Sequence, residues 1–415
     1  MDTFHIKTHQ AKLKDYEPIV GKGSIEELKV LSSKLSGKAI QNINSTFTGG
    51  GVAEILSHMI PLFSQLGVDA RWNVIEGNKA FFEVTKKLHN ALHGREEQIS
   101  AQDISIFRET SRRNLEKLEI YGDIVFIHDP QPIAMVEKKK ELGRKWIWRC
   151  HIDVSQPTKT SWAFLQPWIA QYDAAVFSTT AFSHQLPIHQ SFIPPSIDPL
   201  SDKNKELPAK TIEAVLSKYK IPRDKPLIVQ VSRFDYLKDP VGVIQAFKLV
   251  KESTDCRLVL AGGTAADDPE SDRVLAEVKD KADGDSNIHV LPIPPGSDIE
   301  INALQRAATV VVQKSLREGF GLTVSEALWK AKPVVASAVG GIPLQVKHNL
   351  TGLLSHGIED TAEAIKQLLA NPDYAKSLGE NGREHVRRNF MITRHLKDYM
   401  LLFLSLNHSQ DSSSP

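Results

Sequence analysis

Short apolar runs alternate with amphipathic stretches along the whole chain, and their lengths predict strands interleaved with helices. In the first half the runs fall at 38–45 (KAIQNINS), 68–75, 123–128, 145–151, 173–178 and 190–195. In the second half they fall at 225–231 (KPLIVQV), 256–261, 287–291, 310–312 and 333–336. Runs this short, rich in Val and Ile and apolar at consecutive positions, suit strands covered on both faces. Between them the helical period predicts helices over 80–92 and 102–118, with others reaching about Leu66, ending near Glu252 and beginning near Leu322. A further helix is expected over 24–35, with Ser24 as N-cap and Glu27 closing a capping box. From Thr361 the chain reads as helical, broken near Phe390 and ending at about Leu406. Strands and helices alternating at this spacing predict an α/β fold of parallel, doubly wound sheets with right-handed crossovers.

The pattern is interrupted once and then restarts. Pro194, Pro195, Pro199 and the polar stretch 201–206 mark the crossover. A chain of 415 residues is longer than one core usually supports, so two domains are expected, at 1–197 and 198–390. The tail at 408–415 reads as disordered. A formal net charge of +1 gives no general reason to expect nucleic-acid partners. No signal-peptide stretch opens the chain and no run reaches transmembrane length. Lys138, Lys139, Lys140, Arg144 and Lys145 lie beside Trp146 and Trp148, a composition that can anchor an enzyme to a bilayer surface. The tryptophans alternate in a strand, so a solvated helix end is expected there and no membrane contact. Cys150 and Cys256 sit in apolar contexts and read as core thiols, consistent with a reducing cytoplasm.

The candidate chemistry gathers where strands give way to loops. In 310–343 an apolar strand, a turn carrying Arg317, Glu318, Gly319, Phe320 and Gly321, a helix and a second strand make a βαβ unit. Ligands bind beyond the carboxyl ends of such strands. The glycines admit a ligand close to the backbone, and the helix opening at Leu322 and Thr323 aims free N–H groups at it, a seat for phosphate. Glu318 and Glu326 flank that seat, where carboxylates suit sugar and ribose hydroxyls. Glu318 is expected to be an exposed polar contact. In S-R-F-D-Y-L-K-D-P, Arg233 and Lys238 follow the first strand of the second half and offer two cations to a diphosphate. Asp267 and Asp268 read as a helix start and not as a metal-binding pair. In the first half, T-F-T-G-G-G-V-A places Gly50 and Gly51 between strand and helix, without the spaced glycines of a dinucleotide site. Glu76 ends a strand, suited either to hydroxyls or to a helix cap. His128 and His151 also lie near strand ends, with Asp129 and Asp153 close behind.

E-G-F-G-L-T-V-S-E resembles the E-x7-E motif of retaining glycosyltransferases of family 4, which have the GT-B fold of two facing Rossmann-like domains with a cleft between them. The segments N-S-T-F-T-G-G-G-V-A-E-I-L, H-D-P-Q-P, R-C-H-I-D and V-S-R-F-D are similar to the trehalose glycosyltransferring synthases within that family. The resemblance implies transfer of glucose from a nucleoside-diphosphate glucose (ADP- or UDP-glucose) to free glucose, giving α,α-trehalose, reversibly. It implies a diphosphate held by Arg233 and Lys238, the donor sugar met by Glu318 and His151, and the ribose by Glu326. Gly50, Gly51, Glu76 and Asp153 are expected on the acceptor side. The last helix, 391–407, is expected to pack back on the first domain. No cofactor or bound metal is required, since cations and a helix end can stabilise the leaving diphosphate, with Mg2+ a stimulant at most. The resemblance also implies a cytoplasmic homodimer. Tyr236-Leu237-Lys238-Asp239 departs from the family's P-W-K-G. Two rivals remain: a retaining trehalose phosphorylase, whose chains are usually longer, and a sugar-nucleotide sensor without turnover.

Overall fold

The computed structural model describes residues 11–263 and 269–408; Asp267, Asp268 and the tail beyond 408 lie outside them. The chain divides into two compact units, one formed by Met1–Ser196 with Ile392–Pro415 and the other by Ile197–Met391.

In unit 1, helix α1 (Lys22–Ser33) precedes β1 (Ala39–Asn44), α2 (Gly50–Gln65), β2 (Asp69–Val74), α3 (Lys79–Leu92) and α4 (Ala101–Lys117). Then come β3 (Ile124–His128), β4 (Lys145–Arg149), α5 (Lys159–Ile169), β5 (Ala174–Phe177) and β6 (His189–Phe192). The six strands form a parallel sheet in the order β2-β1-β3-β4-β5-β6. Strand periodicity splits β4 between two layers. Trp146 and Trp148 are fully buried in one core with Phe107, Trp168 and Phe177, and so form no surface belt. Ile147 and Arg149 face the other way.

Unit 2 repeats the plan. After α6 (Ala209–Lys218) come β7 (Leu227–Val231), α7 (Pro240–Lys251), β8 (Arg257–Gly262), α8 (Pro269–Ala282), β9 (Ile288–Pro292) and α9 (Asp298–Ala307). These are followed by β10 (Val310–Gln313), α10 (Leu322–Trp329), β11 (Val334–Ser337), β12 (Leu353–Ser355), α11 (Ile358–Ala370) and α12 (Pro372–Asn389). The sheet order is β12-β11-β10-β7-β8-β9, parallel throughout. Each unit is thus a Rossmann-like doubly wound domain with its own core. The last helix, α13 (Ile392–His408), belongs to unit 1, where Tyr399 and Phe403 pack edge-on against Phe126 of β3.

Two local expectations are corrected. Gly21, with φ 86°, is the N-cap of α1, and Ser24 lies inside the helix with its hydroxyl on the Val20 carbonyl. The stretch after Thr361 is broken at Asn371 as well as at Phe390. Both cysteines are buried free thiols.

Candidate active site

In unit 2, β7 and β10 are hydrogen-bonded neighbours, so the loops leaving their carboxyl ends run side by side. The Leu316 amide donates to the Leu237 carbonyl at 2.8 Å, joining the two loops. Asp235 Oδ1 accepts from the Leu237 amide and closes a tight turn over Tyr236–Lys238. Gln230, on β7, holds the Lys238 carbonyl at 2.8 Å. Fixed in this way, Lys238 Nζ reaches Glu318 Oε2 at 2.6 Å, and Ser315 Oγ donates to the same oxygen at 3.1 Å. Glu318 is therefore not the exposed contact expected from sequence: it is 7% exposed and ion-paired. Asp239 adopts φ 45°, caps α7 by accepting from the Gly242 amide, and pairs with Lys314. Arg233 stands at the rim of this loop, half-exposed, with Nη2 3.4 Å from Asp235 Oδ2.

Glycine is needed at two points here. Gly321, at φ 83°, turns the chain into α10, and a side chain there would crowd Glu318 Cγ at 3.2 Å. A Cβ on Gly262 would lie 1.6 Å from the Ser232 carbonyl oxygen, so the end of β8 presses directly on the loop that carries Arg233. The first-turn amides of α10, at Leu322 and Thr323, have no acceptor within the helix and face outward with its positive dipole end. Thr323 Oγ1 donates to Gln313 Oε1 at 3.1 Å, and Gln345 Nε2 donates to the Phe320 carbonyl, so the 319–323 turn is fastened from two sides. Glu326 is 1% exposed, and its Oε1 lies 3.9 Å from Lys203 Nζ. The two glutamates of the motif thus face different lysines.

In unit 1 the neighbouring strands β3 and β4 end at a histidine pair. His128 Nδ1 is 3.2 Å from His151 Nε2, and the rings stack with centroids 5.5 Å apart. His128 Nε2 is 3.1 Å from Asn42 Oδ1, while Asn42 Nδ2 donates to the Arg71 carbonyl. That second bond sets the amide's orientation, so His128 must carry its proton on Nε2 to donate to Asn42. Its Nδ1 then accepts from His151 Nε2–H, and the tautomers of both rings follow. The His151 amide donates to Asp129 Oδ1 at 2.7 Å, an arrangement helped by the left-handed φ of 65° at Asp129.

Arg149, fully buried beside the pair, has Nη2 3.3 Å from Ser178 Oγ. Its Nε and Nη1 have no hydrogen-bond partner among the described residues. Burial, reinforced by the Arg149 charge, pushes His128 down to about 3 and His151 well below its ordinary value. Burial pushes Asp129 up to about 6 against the opposing pull of the His151 amide. The imidazoles are consequently neutral hydrogen-bonding groups near pH 7.

The expected acceptor residues do not share one place. Gly50 and Gly51 form the first turn of α2, exposed, with Gly49 and Gly50 at φ 78° and 77°. Glu76 lies beyond β2 at the sheet edge, paired with Lys117 at 2.7 Å. Asp153 lies beyond β4, three strand spacings or about 14 Å away across the sheet. It is 2% exposed, with Oδ1 accepting from the Ser155 amide and hydroxyl. Sequence reasoning missed Gln230, Ser315, Asn42 and Arg149. One signal was available for Asn42: A-I-Q-N-I-N carries three amides in a strand whose last five residues are all buried. Among the described residues no cluster of three or more His, Cys, Asp or Glu side chains could hold a metal ion.

Known proteins share both halves. Residues 42–184 match the family described as "Trehalose synthase, N-terminal domain", and residues 211–385 match "Glycosyl transferases group 1". A trehalose synthase of Rubrobacter xylanophilus is 43% identical over 96% of this chain and 97% of its own. One from Thermococcus litoralis is 41% identical over 95% and 97%. A trehalose phosphorylase of Grifola frondosa is more distant, at 30% identity over 90% of this chain but only 58% of its own. In fold, an α,α-trehalose-phosphate synthase of Burkholderia xenovorans superposes with a TM-score of 0.72, covering 87% of this chain and 99% of its own at 14% identity. With two six-stranded Rossmann-like sheets and this identity along nearly its whole length, the chain belongs to the trehalose synthase family of GT-B glycosyltransferases.

Proposed function

We propose that the protein transfers glucose, with retention, from a nucleoside-diphosphate glucose to free glucose, giving α,α-trehalose in a reversible reaction. The observation that carries this reading is the Lys238–Glu318 pair fixed beside the opening turn of α10, in a chain whose full-length relatives are named trehalose synthases.

The chemistry follows from charge. Cleaving the bond between sugar C1 and the phosphate oxygen leaves its electron pair on the diphosphate and builds oxocarbenium character at C1. The acceptor hydroxyl oxygen forms the new bond to C1, and its proton ends on the released diphosphate or solvent. Arg233, Lys238 and the amides of Leu322 and Thr323 are assigned to the developing negative charge, fixed in place before it appears. Each charge-assisted hydrogen bond contributes about 1.5–3 kcal/mol, and those that tighten as charge develops lower the barrier. Cations and a helix end can thereby do the work of a bridging metal, so activity should persist in EDTA.

With Lys238 drawn to the phosphate, Glu318 is released to accept from sugar hydroxyls. Glu326 is assigned to the ribose, and His151, a neutral donor and acceptor, to a sugar hydroxyl. Gly50 and Gly51 leave an open backbone surface for the acceptor.

The test is product analysis with glucose and, separately, ADP-, UDP- and GDP-glucose, followed by α-trehalase digestion. Trehalase-sensitive product is expected with at least one donor. Nucleoside diphosphate release without trehalose would remove the assigned acceptor. Silence with every donor, together with glucose 1-phosphate formed from trehalose and phosphate, would give the protein to the phosphorylases.

A further inference from the structure

A cavity lies at the edge of unit 1, and its lining does not include the histidine pair. It measures about 250 Å³ and is formed where the end of β2 meets the start of α3 and the last turns of α4. Its wall is rigid. Asn114 clamps Glu76 by both backbone groups, accepting from its amide at 2.7 Å and donating to its carbonyl at 2.8 Å. Gly77 has no room for a side chain, since a Cβ would lie 2.6 Å from Phe81. Asn78 caps α3 through the Phe81 amide. Arg113 and Lys117 line the opposite side. Lys117 pairs with Glu76 at 2.7 Å, and Arg113 lies 3.6 Å from Glu109, one turn back on α4, so both cations must turn from these exposed carboxylates to meet an anion. Thr110, 4% exposed, lines the floor, and its hydroxyl has no hydrogen-bond partner among the described residues.

We propose that this pocket binds a small phosphorylated sugar. Two cations and the positive end of a 14-residue helix favour a phosphate. The Glu76 carboxylate and the orphaned Thr110 hydroxyl suit sugar hydroxyls, because a buried hydroxyl without a partner is costly until a ligand satisfies it. The volume holds one monosaccharide. The proposal does not depend on the transfer reaction, and it gives Glu76 a ligand separate from the donor.

The test is calorimetric titration of the full chain with glucose 6-phosphate, glucose and inorganic phosphate. A saturating nucleoside diphosphate is present to occupy Arg233 and Lys238. Glucose 6-phosphate should bind, phosphate should compete with it, and glucose should bind more weakly. Arg113→Ala, at an exposed position, should weaken glucose 6-phosphate about tenfold, the loss of one charge-assisted bond. Thr110→Val should weaken it less, and Lys238→Ala not at all. Binding that survives Arg113→Ala but disappears in Lys238→Ala belongs to the donor cradle and overturns the proposal. So does no heat with glucose 6-phosphate, or glucose 6-phosphate binding unchanged in both Arg113→Ala and Thr110→Val.

Discussion

Glu318 and Lys238 neutralise each other in a nearly dry setting, which makes their substitutions unequal. Glu318→Gln keeps an acceptor for Ser315 and Lys238 but leaves the Lys238 ammonium, its side chain 20% exposed, without a counter-charge. Lys238→Ala leaves a 7%-exposed carboxylate that still accepts from Ser315 Oγ but has lost its ammonium partner. Both variants should lose turnover, by on the order of a hundredfold or more, if these groups act on developing charge. Lys238→Ala, which strands the more deeply buried charge, should also lose about 1–3 kcal/mol of stability, and Glu318→Gln less. Steady-state rates and urea midpoints on the same preparations separate the two effects. Equal stability of the two variants would mean the pair is not buried as described. The sequence identified these two residues as site candidates through their position after strands, but it offered no sign that they touch. That contact depends on β7 and β10 being neighbours, although they are separated by two other strands along the chain.

At the scale of elements, the loop bearing Arg233 is shaped by the strand beside it. Gly262 closes β8 against the Ser232 carbonyl with no space for even a methyl group. Gly262→Ala should therefore cost about 2–4 kcal/mol and lower donor affinity, because the backbone at Ser232 and Arg233 must move. Denaturant unfolding and donor binding measured together check this, and an unchanged midpoint would contradict the contact. Most strands were legible in the sequence because each is a compact apolar run between breakers. Strand β12 was not, being only three residues long, Leu353–Ser355. Helix α5 was obscured by Pro167 in its last turn, and α6 and α9 by short polar surroundings. The Ser24 capping box failed for a local reason: Gly21 already turns the chain, so the helix begins before the serine can cap it.

For whole units, buried histidines set the acid response. His128, His151 and His395 are all held below the ordinary histidine value by burial, with like charge from neighbouring arginines adding to it. Groups depressed in this way bind protons in the unfolded chain before the folded one. Their contribution is present above pH 6.5 and is lost as pH falls toward about 3. Asp129, raised to about 6, acts in the opposite sense, its contribution being lost as pH rises through that value, but it is one group against three. Unit 1 should thus be less stable at pH 5 than at pH 7. Trp72, Trp146, Trp148, Trp162 and Trp168 belong to it, and only Trp329 to unit 2, so tryptophan fluorescence in urea reads this unit selectively. A midpoint at pH 5 equal to or above that at pH 7 would show that the rings are not buried neutral.

Helix α13 lies beyond unit 2 in the chain but packs in unit 1, with Tyr399 and Phe403 against Phe126. On the ribosome this reverses the expected order of completion. Every residue of unit 2 has been synthesised by Met391, before any residue of α13, so its core does not wait for that helix. Unit 1, although its first strand emerges before anything else of the two sheets, keeps Phe126 and the Arg149 side of its sheet uncovered until translation has run through α13. The half that starts first is the half that a nascent-chain chaperone would have to guard longest.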